Sequence, residues 1–245
     1  MNLYIAPYKI GSESARELAR SLGALRTEGN KGYTYPSSII NWGKSDLNVW
    51  GRGLRKVYNK PSAVAVAANK LNTLDIFTHR HVPTLEYTTR IDVAKQWLAL
   101  DGVVYGRQTL TGCQGSGIRI ITSDDTSFPH CLLYTKAILG GKEFRVHVAG
   151  NKILDFTRKR RREGAGASEY IRNSSNGWVF CRQDEELPDI VAAASLMAVV
   201  ALGLDFGACD VILKDGKVAV LEVNTAPGIE GTSLTKYVEH FRSVL

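Results

Sequence analysis

The sequence predicts an α/β (α+β) protein assembled from more than one unit, and three observations carry that expectation. Toward the C-terminal end two apolar runs, Cys209 to Leu213 and Val218 to Val223, flank Asp215-Gly216, a dipeptide that supplies the positive φ of a tight hairpin turn. In the middle of the chain, Val103 to Arg107 and Ile118 to Thr122 read as strands on either side of a glycine-rich loop. Helix-like stretches stand apart from these strands, as in Ser12 to Leu22, where Ala15, Leu18, Ala19 and Leu22 share one face.

The 245 residues suffice for one large or two to three small domains, and 44% hydrophobic with 22% charged residues is the composition of a globular protein. Met1 to Ile10 contains no apolar core of a secretory signal. The longest nearly apolar run, Ile190 to Leu204, is interrupted by Ser195 and Gly203, so a buried helix is expected there rather than a membrane span. Cys113, Cys131, Cys181 and Cys209 are scattered without a Cys-x-x-Cys pair, which argues against a zinc ribbon or redox motif and for reduced thiols in a cytoplasmic protein. Of the net charge of +7, five charges come from Arg158-Lys159-Arg160-Arg161-Arg162; without them the chain stands at +2, so the basicity is local.

Taken in order, Leu3 to Ala6 is expected as a strand, followed by the Ser12 to Leu22 helix with a Ser12 or Ser14 cap. Ser38 to Trp42 is a second strand that stops at Gly43. Trp42 either borders a ligand crevice at that strand's carboxyl end or packs against the next domain. Pro61 opens a helix through Ala68, with Lys70 just beyond it. His79 and His81 fall in a loop-like context and are expected at the surface. After the Val103 to Arg107 strand come Gly112, Gly115 and Gly117, which either cradle phosphate oxygens with backbone N–H groups, beside the cation of Arg107, or form a plain flexible hairpin. Glu143 to Val148 alternates polar and apolar, so Glu143, Arg145 and His147 share a face; His147 either enters a cleft or is exposed.

A hairpin through Gly150-Asn151 continues to Phe156 and runs into the arginine cluster. Glu163 to Ser168 has the composition of a mobile loop, and Pro188-Asp189 marks the start of the buried helix to Leu202. In the hairpin that follows, residues near Asp210 and Glu222 fall roughly opposite one another, and the period of two puts Glu222 and Asn224 on one face. Three oxygen-bearing side chains on one patch suit Mg²⁺, which takes one or two carboxylates and keeps waters or phosphates. Gly231-Thr232-Ser233 is expected to cap a last helix.

The run Leu221 to Gly231, preceded by Leu202 to Asp210, resembles the C-terminal signature of the ATP-grasp enzymes, most nearly the RimK-type glutamate ligases and less so the D-alanine-D-alanine ligases. The order of elements matches from about Pro61 to Leu245. The resemblance implies a short N-terminal α/β domain (residues 1–60), a central subdomain (61–138) and a C-terminal subdomain (139–245), the last two gripping ATP between them.

It further implies Mg²⁺ on Asp210, Glu222 and Asn224. Lys70, Arg107 and the Gly112, Gly115 and Gly117 loop would meet the phosphates, with Arg107 standing where the family usually has lysine. Leu132 to Ile138 resembles the hinge strand whose backbone reads adenine, giving Thr135 and Lys136 that role and Ile138 a wall of the base pocket. Glu143 would bind the ribose. Lys159 would touch the γ-phosphate and acyl phosphate, while Arg145 and Arg172 would steady the acyl phosphate or an acidic substrate.

Arg172 to Gly177 is similar to the family's Arg-x-Asn followed by Gly, and places Asn173 in a lid over the nucleotide. Ser233 sits where related amino-acid ligases contact substrate, although capping accounts for it as well. The implied reaction is ATP-dependent joining of a carboxylate to an amine through an acyl phosphate. The substrate would be an amino acid, peptide or protein tail, with no membrane partner and an open oligomeric state. An ATP-binding module without ligase chemistry is one alternative. A nucleic-acid-docking protein using Arg158 to Arg162 is another.

Overall fold

The protein is described by a computed structural model over residues 3–27, 38–47, 56–112, 117–164, 168–182 and 185–245. The first unit is a parallel sheet of β1 (Leu3–Pro7), β2 (Leu25–Arg26), β3 (Ser38–Trp42) and β4 (Lys56–Tyr58) in the order β2-β1-β3-β4, with α1 (Glu13–Leu22) linking β1 to β2. Ser12 caps α1 by accepting from the Ala15 N–H, and Gly23, at φ 64°, ends it in the left-handed conformation that glycine adopts without penalty.

Two helices follow, α2 (Pro61–Ala68) with proline in its first turn and α3 (Lys70–His79), capped by Asn69. A four-stranded antiparallel sheet comes next. Strands β5 (Tyr87–Thr88), β6 (Val103–Arg107), β7 (Ile118–Thr122) and β8 (Leu133–Lys136) run in the order β5-β8-β6-β7, and α4 (Ile91–Asp101) covers one face. That face has its own small core of Ala94, Val104, Ile121, Cys131 and Tyr134.

The largest sheet is antiparallel and five-stranded. Its strands β9 (Lys142–Ala149), β10 (Lys152–Arg161), β11 (Trp178–Cys181), β12 (Phe206–Lys214) and β13 (Lys217–Asn224) lie in the order β11-β10-β9-β12-β13. Helix α5 (Asp189–Ala201) precedes β12 and α6 (Gly231–Val244) follows β13. Asp215 at φ 49° and Gly216 at φ 73° make the tight turn between β12 and β13 that the sequence predicted.

Alternation along these strands sorts the residues by face. Phe144, Val146, Val148, Cys209 and Val211 pack with Val191, Ala194, Ala198 and Val199 of α5 and with Val64, Ala67 and Phe77 of α2 and α3. Each fully buried valine or phenylalanine among them contributes about 1.5–3 kcal/mol. The intervening residues, Glu143, Arg145, His147 and Asp210, therefore project from the other face.

The first sheet shares its core with the end of the chain. Ile5, Leu18, Ile40 and Trp42 are buried in one cluster with Phe206, Tyr237, Val238 and Phe241. Trp42 stacks on Phe206 (ring centroids 5.2 Å apart) and meets Tyr237 edge-on at 5.7 Å, so packing rather than a ligand crevice explains it. Asn59 reinforces this joint: its side chain accepts from the Asp205 and Phe206 N–H groups (2.8 and 3.1 Å) and donates to the Phe206 carbonyl (2.9 Å). The expected cap at Gly231 to Ser233 is corrected. Helix α6 already begins at Gly231, with Glu230 flanking it and no side-chain cap, because the Ser233 hydroxyl turns inward to Asp155 at 2.6 Å.

Candidate active site

The charged face of the five-stranded sheet is ordered in rows across its strands. In one row Asp210 lies directly between Glu222 of β13 and Arg145 of β9. In the next, Glu143 lies opposite Lys159 of β10, with Phe180 of β11 beyond. The Arg145 guanidinium donates two parallel hydrogen bonds to Asp210, Nε to Oδ1 and Nη2 to Oδ2, both 2.8 Å, the bidentate geometry suited to a planar fork. Lys159 donates to Glu143 and stands 3.7 Å from Asp210 Oδ2.

Two further cations come from outside the sheet. Lys70, at the start of α3, pairs with Glu222 (Nζ to Oε2, 2.7 Å) and is only 12% exposed. Arg107 of β6 is close enough for Glu222 to support its charge. The Lys70 N–H donates to Leu110 O at 2.8 Å, so the base of the glycine loop rests on the same helix end that carries Lys70.

Burial and charge compete at each group. Burial works to raise the Asp210 carboxyl, but Arg145 and Lys159 outweigh it and hold Asp210 well below the usual carboxylate range. Burial likewise pushes Glu143 up, and there it wins over the opposing pull of Lys159. Burial would lower Lys159, yet Asp210 and Glu143 raise it; burial lowers Arg107 against the pull of Glu222. His147, 2% exposed with Nδ1 3.3 Å from the Tyr237 hydroxyl, is pushed down to about 4 by burial and then by Arg145. It projects from the charged face but is buried there.

The remaining expected residues divide. Gly112 (φ 149°) and Gly117 (φ 74°) hold conformations that favour glycine, and a Cβ on Gly117 would stand 2.6 Å from Thr109 Oγ1; Gly115 lies outside the described residues. Thr135, 2% exposed, shares a sheet face with Tyr105 and Arg107, its cross-strand neighbours being Tyr105 and Tyr87. The Lys136 side chain turns the other way, to Glu86 (3.1 Å), Asp101 (3.7 Å) and the Trp97 ring, so only its backbone is left for a ligand on the Thr135 side. Ile138 is half-buried just past β8.

Arg172 is held by the Gly140 and Gly141 carbonyls, by Glu143 at 3.8 Å and by the face of Trp178. Asn173 closes a short 3-10 turn, its Oδ1 accepting from the Asn176 N–H at 2.9 Å. Asn224 lies on the same strand face as Glu222, opposite Ala208, and its Oδ1 accepts from the Ala226 N–H at 3.0 Å.

Sequence reasoning missed a second polar cluster one row further along this face. Asp155 of β10, directly opposite His147, accepts from Ser233 (2.6 Å) and Arg182 (2.8 Å), and Lys236 lies 3.5 Å away. Arg182 also donates to Ser233 at 2.7 Å. The alternation Asp155, Thr157, Lys159 was a signal that β10 carries polar residues on one face, but the partners come from distant segments.

The arginine cluster, unexplained by the sequence, is largely paired. Arg158 and Arg160 both reach Glu185, whose side chain is 6% exposed, and Arg161 reaches Glu169. Arg158 and Arg160, alternate residues of β10, are thereby tied to one carboxylate instead of forming a free basic strip.

The donor set fits a hard cation: two carboxylates side by side and an amide oxygen, all oxygen ligands. Among the described residues no group of three or more histidine, cysteine, aspartate or glutamate side chains is placed for a metal, so any such ion would rely on these two carboxylates and on oxygens from its ligand. Around them, Lys70, Arg107, Arg145, Lys159 and Arg172 outnumber Glu143, Asp210 and Glu222 by five to three. The face is set to receive an anionic ligand together with a cation.

No protein-family model matches the chain. It is similar to a curated protein named probable alpha-L-glutamate ligase from Saccharophagus degradans, 25% identical over 187 residues covering 71% of this chain. The chain spans only 60% of that relative's length. Among solved structures, the ATP-grasp ligase PsnB complexed with a minimal precursor superposes with a TM-score of 0.70 at 14% identity, covering 99% of both chains. PsnB has also been solved with Mg and ADP. A RimK domain ATP-grasp protein from Sphaerobacter thermophilus gives a TM-score of 0.69 at 13% identity, covering 98% of this chain and 99% of that one. No helix among the described residues is long and apolar enough to cross a membrane.

Proposed function

We infer, for a chain that has the ATP-grasp fold and is similar to RimK-type ligases, that this protein joins a carboxylate to an amine at the expense of ATP. The product is an amide, formed through an acyl phosphate with release of ADP and phosphate. One observation carries the inference: Asp210 and Glu222 lie directly side by side, with Lys70, Arg107, Arg145 and Lys159 converging on the same patch. Phosphoryl transfer is catalysed chiefly by positioning and charge neutralisation, and that patch offers both without a protein nucleophile.

ATP with Mg²⁺ would supply the phosphoryl group that activates the carboxylate, with Asp210, Glu222 and Asn224 as the residues to hold the metal. Lys70 and Arg107 enter from α3 and β6 and would meet the polyphosphate. Arg145 and Lys159 would neutralise the negative charge that builds as phosphorus is transferred. Thr135 and the backbone of Lys136 with Ile138 would face the base, and Glu143 the ribose. Arg172, fixed on Gly140 and Gly141, would keep the segment that carries Asn173 close over that cleft.

The Asp155 cluster suits the second substrate. Arg182 and Lys236 bring two positive charges to one buried carboxylate and leave a surplus of one, which matches the carboxylate of an amino acid or peptide chain end. PsnB has been solved with a precursor peptide, a ligand that also ends in a carboxylate.

ADP release should depend on a carboxylate and an amine added together. Amino acids and acidic peptides screened in pairs, with products weighed by mass spectrometry, test this. Nucleotide turnover indifferent to both would leave an ATP-binding module, and no binding of Mg²⁺ with a non-hydrolysable ATP analogue would end the proposal. A nucleic-acid-docking role for Arg158 to Arg162 is disfavoured by the pairing of Arg158 and Arg160 with Glu185 and of Arg161 with Glu169.

A further inference from the structure

Phe180 is an oddity of the charged face. It is an aromatic residue on the edge strand β11, 47% exposed, in the row that also holds Lys159 and Glu143. Half of the ring stays open beside charged groups, and what sets it apart from the other exposed apolar side chains is the pair of cations on it. The Arg145 guanidinium lies over the Phe180 ring at 4.6 Å from its centroid, and the Lys159 ammonium lies at 5.6 Å from the same centroid. Both distances fall within the range in which a cation is attracted by the ring face.

We propose that Phe180 is the positioning residue for Arg145 and Lys159, holding both cations in place by its ring face while they engage a bound anionic ligand. The inference rests on the nucleotide-binding function proposed above. In the structure each cation is also tied to a carboxylate, Arg145 to Asp210 and Lys159 to Glu143. Those ties are the ones a ligand disturbs: oxygens of Asp210 given to a metal are weakened as partners of Arg145, and Glu143 hydrogen-bonded to a sugar is weakened as a partner of Lys159. The ring has no oxygen to offer a metal or a sugar, so its two contacts persist in the loaded state. It also adds no negative charge, leaving the cations free to act on phosphate.

The test measures calorimetric binding of Mg²⁺ with a non-hydrolysable ATP analogue to the full-length protein and to Phe180→Leu, Phe180→Ala and Phe180→Trp. Thermal unfolding of each variant checks that the fold is retained. Leucine keeps apolar bulk without a π face, whereas tryptophan keeps the face. Two ring contacts to largely desolvated cations imply that Phe180→Leu and Phe180→Ala bind roughly fivefold to thirtyfold more weakly, with Phe180→Trp restored to near the parent value. Leucine binding within twofold of the parent, or tryptophan failing as badly as alanine, overturns the assignment while leaving the proposed function intact. If the parent protein binds no nucleotide, the proposed function fails and the Phe180 assignment with it.

Discussion

His147 should make the protein markedly less stable in mild acid, and the size of the effect follows from its surroundings. The imidazole is 2% exposed and faces Arg145, Arg182, Asp155, Asp210 and the Tyr237 hydroxyl. Burial and the Arg145 charge lower its pKa from 6.5 to about 4. An imidazole that must stay neutral in the folded state binds its proton more readily in the unfolded chain. Its contribution is therefore complete above about pH 6.5 and is lost progressively as pH falls toward 4.

Between pH 7.5 and pH 5 that lowering amounts to about 2 kcal/mol, of a total of about 3 kcal/mol once both states are protonated. Asp210, held far below this window, stays ionised throughout it. Glu143 is raised, so its own contribution runs the opposite way, gaining as pH falls. His240, also lowered, acts with the same sign as His147. The difference between the parent protein and His147→Gln cancels these shared terms to first order.

Urea unfolding at pH 7.5 and pH 5 for both proteins provides the measurement. The parent should lose about 2 kcal/mol more than His147→Gln on acidification. If the gap between the two proteins is the same at both pH values, His147 is not held neutral by its surroundings, and the account of the charged face around it is wrong.

Two other outcomes are expected. Glu222→Gln releases Lys70 from its pair and removes a charge from the metal position. Metal-free ADP should then bind roughly twofold to fivefold more tightly, while the gain in affinity on adding Mg²⁺ shrinks; titration calorimetry with and without chelator reads both arms, and an equal loss in each refutes the pairing argument. Asn59→Ala strips two backbone N–H groups and a carbonyl of their buried partner at a residue with φ 61°, which costs about 3 kcal/mol or more in unfolding free energy. Asn59→Gly, relieved of the backbone strain, should be less damaged than alanine in the same denaturation series, and an alanine variant within about 1 kcal/mol of the parent would show that the joint is held elsewhere.

What the sequence made legible was local. The strands Ser38 to Trp42, Val103 to Arg107 and Ile118 to Thr122 appear with the predicted bounds, because each is a short run with strong β-preference closed by glycine or a polar turn. The Asp215-Gly216 turn sets the register from Lys214 opposite Lys217 to Val211 opposite Val220, and a bulge between Asp210 and Val211, invisible in the sequence, then shifts the pairing by one residue and brings Asp210 opposite Glu222; the hairpin was legible, its exact register was not. The convergence of the cations was not legible from pattern: Arg107 stood out only beside its glycine loop, Lys70 was named only by the family resemblance, and both reach that hairpin from other elements.

Long-range pairing explains the misses. Nothing near Ser233 in sequence announces Asp155, so capping was the economical expectation for a serine before a helix. Glu185 stands more than twenty residues from the arginines it neutralises, which left the cluster looking like a free basic strip. Strand β11 is four residues long and is a strand only because β10 pairs with it.

The shared apolar cluster between the first sheet and α6 has a consequence for synthesis on the ribosome. Trp42 is made roughly 195 residues before Tyr237 and Phe241, which close over it. At about 5–20 residues per second, the inner face of the first sheet waits roughly 10–40 s for its cover. During that interval it is an unshielded oily surface on a tethered nascent chain, and the N-terminal unit becomes a natural client for chaperones that bind at the exit tunnel.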